Sequence, residues 1–554
     1  MQKKLFAVVL RYKGLLIGVV AFALVMVFVP SLHSTGVAVP STSNGVGFIP
    51  YKPPGEGLAG TTVGGYVCTP GRRQVPWSLY APYCVPKWRG NNGGATDKAD
   101  PLAVTAKTIN VSVNYASNEG LCSVLASMES SSIASEALFK RMTNIYVSLF
   151  NKDFELWGRK VVIKYFNGQG CYVNELLGQD QKQAEADAQT AASLHAFADM
   201  SELYSAPPYD TALAQHHIIA IGGEFMPHSW FAQNAPYEYS TIASCSKFMQ
   251  SVVEIVKNSI YGLPAIYAAG KHLHDLPAKI GLIYPDAAFL RPCAQEVTGA
   301  LKAAHIPVAA QFVYSITNFG SVETESTAVM ADFRNKGVTT VICGCDPVTP
   351  AFMATAAAQQ HYYPEWVPMT LGDGITRGIM SSPADKAEWA HAITSFVQTT
   401  PPQDQEYVLA YKLATGHQLH GLINVVTAGA AYGSVLLLFS ALQQAGPDLT
   451  PQSFQRGMWS LPPSVQDASM GGWAFLPGHY TTPSNFQITY WNNSAQGAVT
   501  HGVGAFIACN HGTFYTYPGY NEGPSLPVGK QLECFGSGGS SAPWVPPPSA
   551  IPKP

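Results

Sequence analysis

The chain has 554 residues, of which 12% are charged and 47% hydrophobic, with 32 Lys and Arg against 35 Asp and Glu for a formal net charge of −3. A charged fraction about half the usual ~25%, beside an ordinary apolar content, excludes a disordered chain. The slightly acidic balance, with no run of Lys or Arg, argues against a nucleic-acid partner recognised through a basic field.

In chain order, Lys3, Lys4, Arg11 and Lys13 precede an uncharged apolar run over 14–29. A basic start followed by an apolar segment is the pattern of an export signal or membrane anchor, so residues 1–30 are assigned that role and the protein is expected outside the cytoplasm, with membrane contact through this segment. The ten cysteines fit an oxidising compartment. They form no CxxC pair and are widely spaced, which favours disulfides over a metal site. Cys68–Cys84 and Cys509–Cys534 each close a short loop and are the expected pairs. Residues 31–104 are rich in Pro, Gly, Ser and Asn, and read as a linker with a stapled loop at Cys68–Cys84.

From residue 108 the texture changes. Short apolar runs at 109–113, 161–165, 217–221, 280–284, 308–313, 339–342 and 366–370 alternate with helical stretches at 134–150, 181–195, 247–260, 288–304, 327–336 and 349–361. Strands separated by helices of ten or more residues imply βαβ units and parallel sheets covered on both faces. A second series opening at 280 makes two α/β lobes the economical arrangement: a ligand-binding region over 105–535, with lobe 1 near 105–245, lobe 2 near 279–370, and later segments returning to both. Residues 428–445 read as one long apolar helix, 473–491 as strands, and the tail 536–554 as disordered and Pro-rich.

The sequence contains no GxSxG elbow, no GxxxxGK[ST] phosphate loop and no HExxH helix. No catalytic residue, metal ligand or cofactor is assigned. Polar and turn residues do follow the predicted strands: Tyr115 and its successors, Ser201, Gly222-Gly223-Glu224, Asp346, and Asp373 between two glycines. In open α/β sheets, ligands bind beyond the carboxyl ends of the strands.

Residues 339–366 (TTVICGCDPVTPAFMATAAAQQHYYPEW) resemble the second lobe of the branched-chain amino-acid type of periplasmic substrate-binding proteins of ABC importers. Residues 431–442 (AYGSVLLLFSAL), followed by Gly446 and Leu449-Thr450, resemble the late helix of that family. Residues 281–292 resemble the segment that opens its second lobe. Residues 84–109 (CVPKWRGNNGGATDKADPLAVTAKTI) resemble the leader of actinobacterial members.

The resemblance implies a type I periplasmic-binding fold: two Rossmann-like lobes with parallel sheets, joined by a hinge and closing on a small solute. It implies a membrane permease as partner and no catalysis. Carried over by position, Ser201 falls in a first-lobe loop that holds a ligand carboxylate in the family, and Gly222, Gly223 and Glu224 fall in the next such loop. Phe289 falls where an aromatic ring packs on the ligand, Asp373 where a carboxylate pairs with its ammonium, and Asp346 in the adjacent loop. Each has a plainer role as cap, turn or core residue. Glu224 adds negative charge where the family receives a carboxylate, so a cationic, amide-like or neutral polar solute is as consistent as an amino acid. A tethered sensor of the same fold, or an exported α/β enzyme, are the alternative outputs.

Overall fold

The computed structural model describes residues 50–115, 135–171, 175, 180–201, 207–222, 226–286, 291–315, 319–345, 349–368, 386–396, 405–464, 471–496, 503–520 and 523–535. The expected signal segment and the C-terminal tail lie outside them.

A small hairpin, β1 (Gly60–Thr61) and β2 (Val67–Cys68), opens the described chain. Lobe 1 is a five-stranded parallel sheet of β3 (Thr108–Tyr115), β4 (Lys160–Asn167), β5 (Ala198–Asp199), β6 (Ile219–Ile221) and β7 (Glu238–Tyr239), in the order β4-β3-β5-β6-β7. Its helices are α1 (Glu136–Asp153), α2 (Gln181–Ser193), α3 (Pro207–Gln215) and α4 (His228–Gln233). Ser135 caps α1 by accepting a hydrogen bond from the Leu138 amide, and α1 buries the Phe139, Met142, Tyr146 and Phe150 side of its surface.

Lobe 2 is a four-stranded parallel sheet of β8 (Ile280–Pro285), β9 (Val308–Tyr314), β10 (Thr340–Cys343) and β11 (Glu365–Pro368), ordered β11-β10-β8-β9. Helix α5 (Cys245–Ile255) leads into it, runs on as a single π-helical turn over Val256–Ile260, and is followed by α6 (Arg291–Ala303), α7 (Phe319–Asn335) and α8 (Thr349–Gln359). A third, antiparallel sheet of β12 (Ile393–Phe396), β13 (Asn485–Gln496), β14 (Val503–Ala508) and β15 (Phe514–Thr516) completes the body. It holds the strand character read at 473–491, but β13 begins later, at Asn485, and its partners β12, β14 and β15 were not anticipated. The remaining helices are α9 (Glu406–Thr415), α10 (Leu422–Ala445) and α11 (Pro451–Trp459). Among the described residues α10 is the one helix long and apolar enough to cross a membrane, yet most of it is buried inside the protein. It is a central core helix, apolar all round because it is surrounded.

The scattered histidines have a structural role. His195, His217, His305 and His361 all take left-handed φ angles where a helix gives way to the next strand. At each, the following amide reaches back to a helix carbonyl, as in Ile218 to Leu213 and Ile306 to Leu301, the helix-ending bond that usually accompanies glycine. Gly337 serves the same turn between α7 and β10.

Residues 50–104, which composition assigns to a linker, form a packed layer on lobe 1 instead of a free tether. Trp77 and Tyr80 are buried. Arg73 donates to the carbonyls of Ala81, Pro462 and Pro463, and Arg159 donates to those of Asn92, Gly94, Thr105 and Pro447. The low regularity of this stretch reflects side-chain and disulfide fastening where backbone ladders are few. Disulfides join Cys68 to Cys84 and Cys509 to Cys534, as expected, and also Cys245 to Cys293 and Cys343 to Cys345. Cys68 and Cys84 are separated by 16 positions. Loop entropy for such a crosslink predicts that the double variant Cys68→Ser/Cys84→Ser loses about 3 kcal/mol of stability, measurable by chemical denaturation.

Candidate functional site

Three of the strand-end residues singled out in the sequence meet at the carboxyl edge of lobe 1. Tyr115 ends β3, Ser201 lies two residues past β5, and Gly222 directly follows β6, on adjacent strands. Ser201 is buried. Its hydroxyl accepts a hydrogen bond from the Asn114 amide at 2.7 Å, which leaves its proton to donate. The Gly222 amide donates to the Tyr239 carbonyl at 2.9 Å, so this glycine is held by the sheet. The Tyr115 ring stacks on Tyr165 at 5.6 Å with 14° between planes. Gly223, Glu224, Phe289, Asp346 and Asp373 lie outside the described residues.

Beneath this edge sits a group of carboxyls that motif reading did not find. Asp199 accepts from the Ser112 hydroxyl at 2.5 Å, the Tyr209 hydroxyl at 3.0 Å and the Ser201 amide at 2.9 Å. Burial pushes its carboxyl up to about 6, with those hydrogen bonds acting the other way. Register places Asp199, Ala220 and Glu238 side by side on β5, β6 and β7. Glu238 is fully buried with neither carboxyl oxygen hydrogen-bonded, and burial, then Asp210 and Asp199, hold it well above the usual range. Glu175 is raised in the same way, by burial and then by Asp187, Asp210 and Asp180. Among the described residues no Lys or Arg forms an ion pair with Asp199, Glu238 or Glu175. Burial beneath the edge therefore favours the protonated, uncharged form of these carboxyls. The one sequence signal was Ser201 close by; that Asp199 and Glu238 point inward follows from strand register.

The matching edge of lobe 2 is apolar. Cys245, Met249, Leu282, Pro285, Cys293 and Ile342 line a small cavity there together with Tyr284, whose hydroxyl accepts from Gln311 at 2.7 Å. The Cys245–Cys293 disulfide ties α5 to α6 beside it. Just past β8, Asp286 pairs with Arg291 at 2.9 Å on the surface.

Where the chain passes between lobes, Ser240 bridges Thr481 and accepts from the Thr482 amide. Beside this crossing Lys247 is buried, donating to the Thr481 carbonyl at 2.6 Å and the Tyr520 hydroxyl at 3.1 Å, with its ammonium over the Tyr517 and Tyr520 rings. Burial lowers it to about 7. Among the described residues no cluster of His, Cys, Asp and Glu has the arrangement of a metal site.

Two lobes, each built on a parallel sheet with helices and joined by crossing segments, define the class of two-lobed small-solute binding proteins. A family model described as periplasmic binding protein matches residues 150–497, well over half of the chain. The chain belongs to the periplasmic binding protein family, and is a solute-binding protein of the extracytoplasmic kind. The solved Leu-, Ile-, Val-, Thr- and Ala-binding protein from Brucella ovis, in its closed conformation, is similar in fold: 12% identity, 76% of this chain and 100% of that chain covered, TM-score 0.51. A branched-chain amino acid ABC transporter protein from Thermus thermophilus with bound valine aligns at 13% identity over 73% of this chain and 94% of its own, TM-score 0.48. A fatty acid ABC transporter substrate-binding protein from Thermomonospora curvata aligns at 14% identity, 77% and 97% coverage, TM-score 0.47. No curated protein matches the chain in sequence.

Proposed function

We propose that the chain captures a neutral or cationic polar solute between its lobes and delivers it to an ABC permease, binding without catalysis. The observation that carries the choice of solute is the lobe 1 edge, where Asp199, Glu238 and Glu175 crowd together without a cation. A solute carboxylate would find no cation there among the described residues, whereas an amide or hydroxyl can exchange hydrogen bonds with the Ser201 hydroxyl and the strand-end backbone. Ser201 and the backbone around Gly222 serve as its first-lobe contacts, Tyr115 and Phe289 as its aromatic cover, and Glu224, Asp346 and Asp373 as acceptors from the loops of both lobes. The N-terminal segment keeps the protein at the outer face of the cytoplasmic membrane.

The test is a thermal-shift screen against amines, amides, polyols and carboxylates. A ligand at one hundred times its Kd stabilises by about 2.7 kcal/mol, so a dose-dependent rise in Tm with amines, amides or polyols is expected, with the ligand recovered unchanged. A rise confined to carboxylates would overturn the solute class. Turnover of the bound compound would overturn the binding-only reading.

A further inference from the structure

The packed leader carries charge and apolar surface of a particular kind. Between residues 50 and 98 the exposed charges include Arg72, Lys87 and Arg89, whereas the two carboxylates of this stretch are withdrawn: Glu56 is half-buried against Gln444, and Asp97 is buried. The hairpin β1–β2 presents bare aliphatic side chains, with Leu58 and Val67 each 63% exposed. Gly64 and Tyr66 set the hairpin against the end of α1, because a Cβ on Gly64 would lie 2.7 Å from Asp153. The Lys87 amide ties the following strand to Thr61, and the Trp88 amide donates to Glu155.

Helix α1 continues this face. Lys140, Asn144, Ser148 and Lys152 repeat every fourth residue and are all exposed, with Arg141 beside them. Together with Tyr66, Leu149 and Leu413 they line an open groove of about 760 Å³. Lys140 lies over the Tyr165 ring at 4.5 Å and Arg141 reaches Asn424, but none of the three cations forms a salt bridge among the described residues. In a chain of net charge −3, Lys140, Arg141 and Lys152 thus line one groove, with Asp153 the acidic residue of its lining, beside the exposed aliphatics of the hairpin.

We propose that this face docks on an anionic membrane surface. Lys and Arg beside a negatively charged leaflet, with aliphatic side chains at the headgroup boundary, are the two components of interfacial binding. The occupant follows from charge complementarity and from chain order: the apolar run over 14–29, with its basic flank, lies upstream of residue 50, where the leader enters the body. Docking holds the body in one orientation on the bilayer.

The full-length chain is reconstituted into phosphatidylcholine vesicles with or without one quarter phosphatidylglycerol, and hydrogen exchange is followed over 58–68 and 136–152. Protection about tenfold or more above that in phosphatidylcholine alone, lost in 0.5 M salt and in Lys140→Glu/Arg141→Glu/Lys152→Glu, is expected. Leu58→Ser/Val67→Ser tests the apolar component without touching charge, and is expected to weaken protection in part. Equal exchange in both vesicle types overturns the proposal. So does protection that needs a membrane protein in the vesicle, which would make the occupant a protein.

Discussion

Truncating Phe150 to alanine is expected to cost about 3–5 kcal/mol, the range for deleting a buried ring and leaving part of its cavity. Phe150 is fully buried. Its ring meets Trp77 at 6.0 Å, Phe154 at 5.0 Å, Phe439 at 5.5 Å and Tyr432 at 5.7 Å. Those partners come from the leader, α1 and α10, so one ring joins the packed layer to the central helix. The loss should appear in denaturant midpoints and as faster proteolysis between residues 50 and 104. Phe312→Ala, on the half-buried edge strand β9, is the control and should cost far less. Equal losses at the two sites would mean that the leader is not fastened through this cluster.

The second large effect is on pH. Glu406 accepts from the Ser78 hydroxyl at 2.5 Å, the Leu79 amide at 2.8 Å and the Tyr432 hydroxyl, clamping the leader to α9 and α10. Burial pushes it up to about 7 against those hydrogen bonds, and burial likewise pushes Glu365 up to about 7 and Asp199 to about 6. Each of these folded carboxyls holds its proton more tightly than the same group in the unfolded chain. Their contribution is therefore complete below the unfolded values of 4.5 for Glu and 3.8 for Asp, and is lost as pH rises through about 6 to 7. Each pH unit between folded and unfolded values is worth about 1.4 kcal/mol as an upper limit. His479, which burial holds at about 4, acts oppositely between there and its ordinary 6.5, and burial lowers His228 and His391 in the same sense, while Asp153, raised to about 6, adds to the carboxyls. Lys247, lowered to about 7, acts only above that pH. Tm measured by calorimetry should therefore rise from pH 7 to pH 5, and Glu406→Gln should flatten the slope while keeping the clamp's shape. A Tm that falls over this range would show that these carboxyls are ionised in the native protein.

The regular elements were legible where their patterns were long. The 18 residues of α1 and the eight-residue strands β3 and β4 lie within three residues of their expected bounds, because apolar period and run length carry that information. The strands β5 and β7 have two residues each, too few for any period, and owe their conformation to neighbours already in register. Helix α7 begins at Phe319, eight residues before the expected start, across a mostly polar stretch in which Val322 and the polar Ser326 form the buried side. The site divides in the same way. Tyr115 and Gly222 could be named because the ends of β3 and β6 are visible in sequence, and Ser201 because the family resemblance marks its position. Asp199, Glu238 and Lys247 could not, since one letter reads alike for a capping carboxylate, a surface lysine and a buried one.

The low charge content met at the outset, 12%, has a different meaning after folding. Composition, cysteine number and the strand–helix alternation by themselves determined an exported α/β protein of two lobes, because burial and connectivity rules act on local pattern. Only the tertiary structure decided where the few charges go. Carboxyls withdraw beneath the lobe 1 edge, where packing retains their protons, while cations distant in sequence gather around the leader hairpin and α1. That sorting depends on which surfaces face water once distant segments pack, a quantity no local stretch of sequence contains.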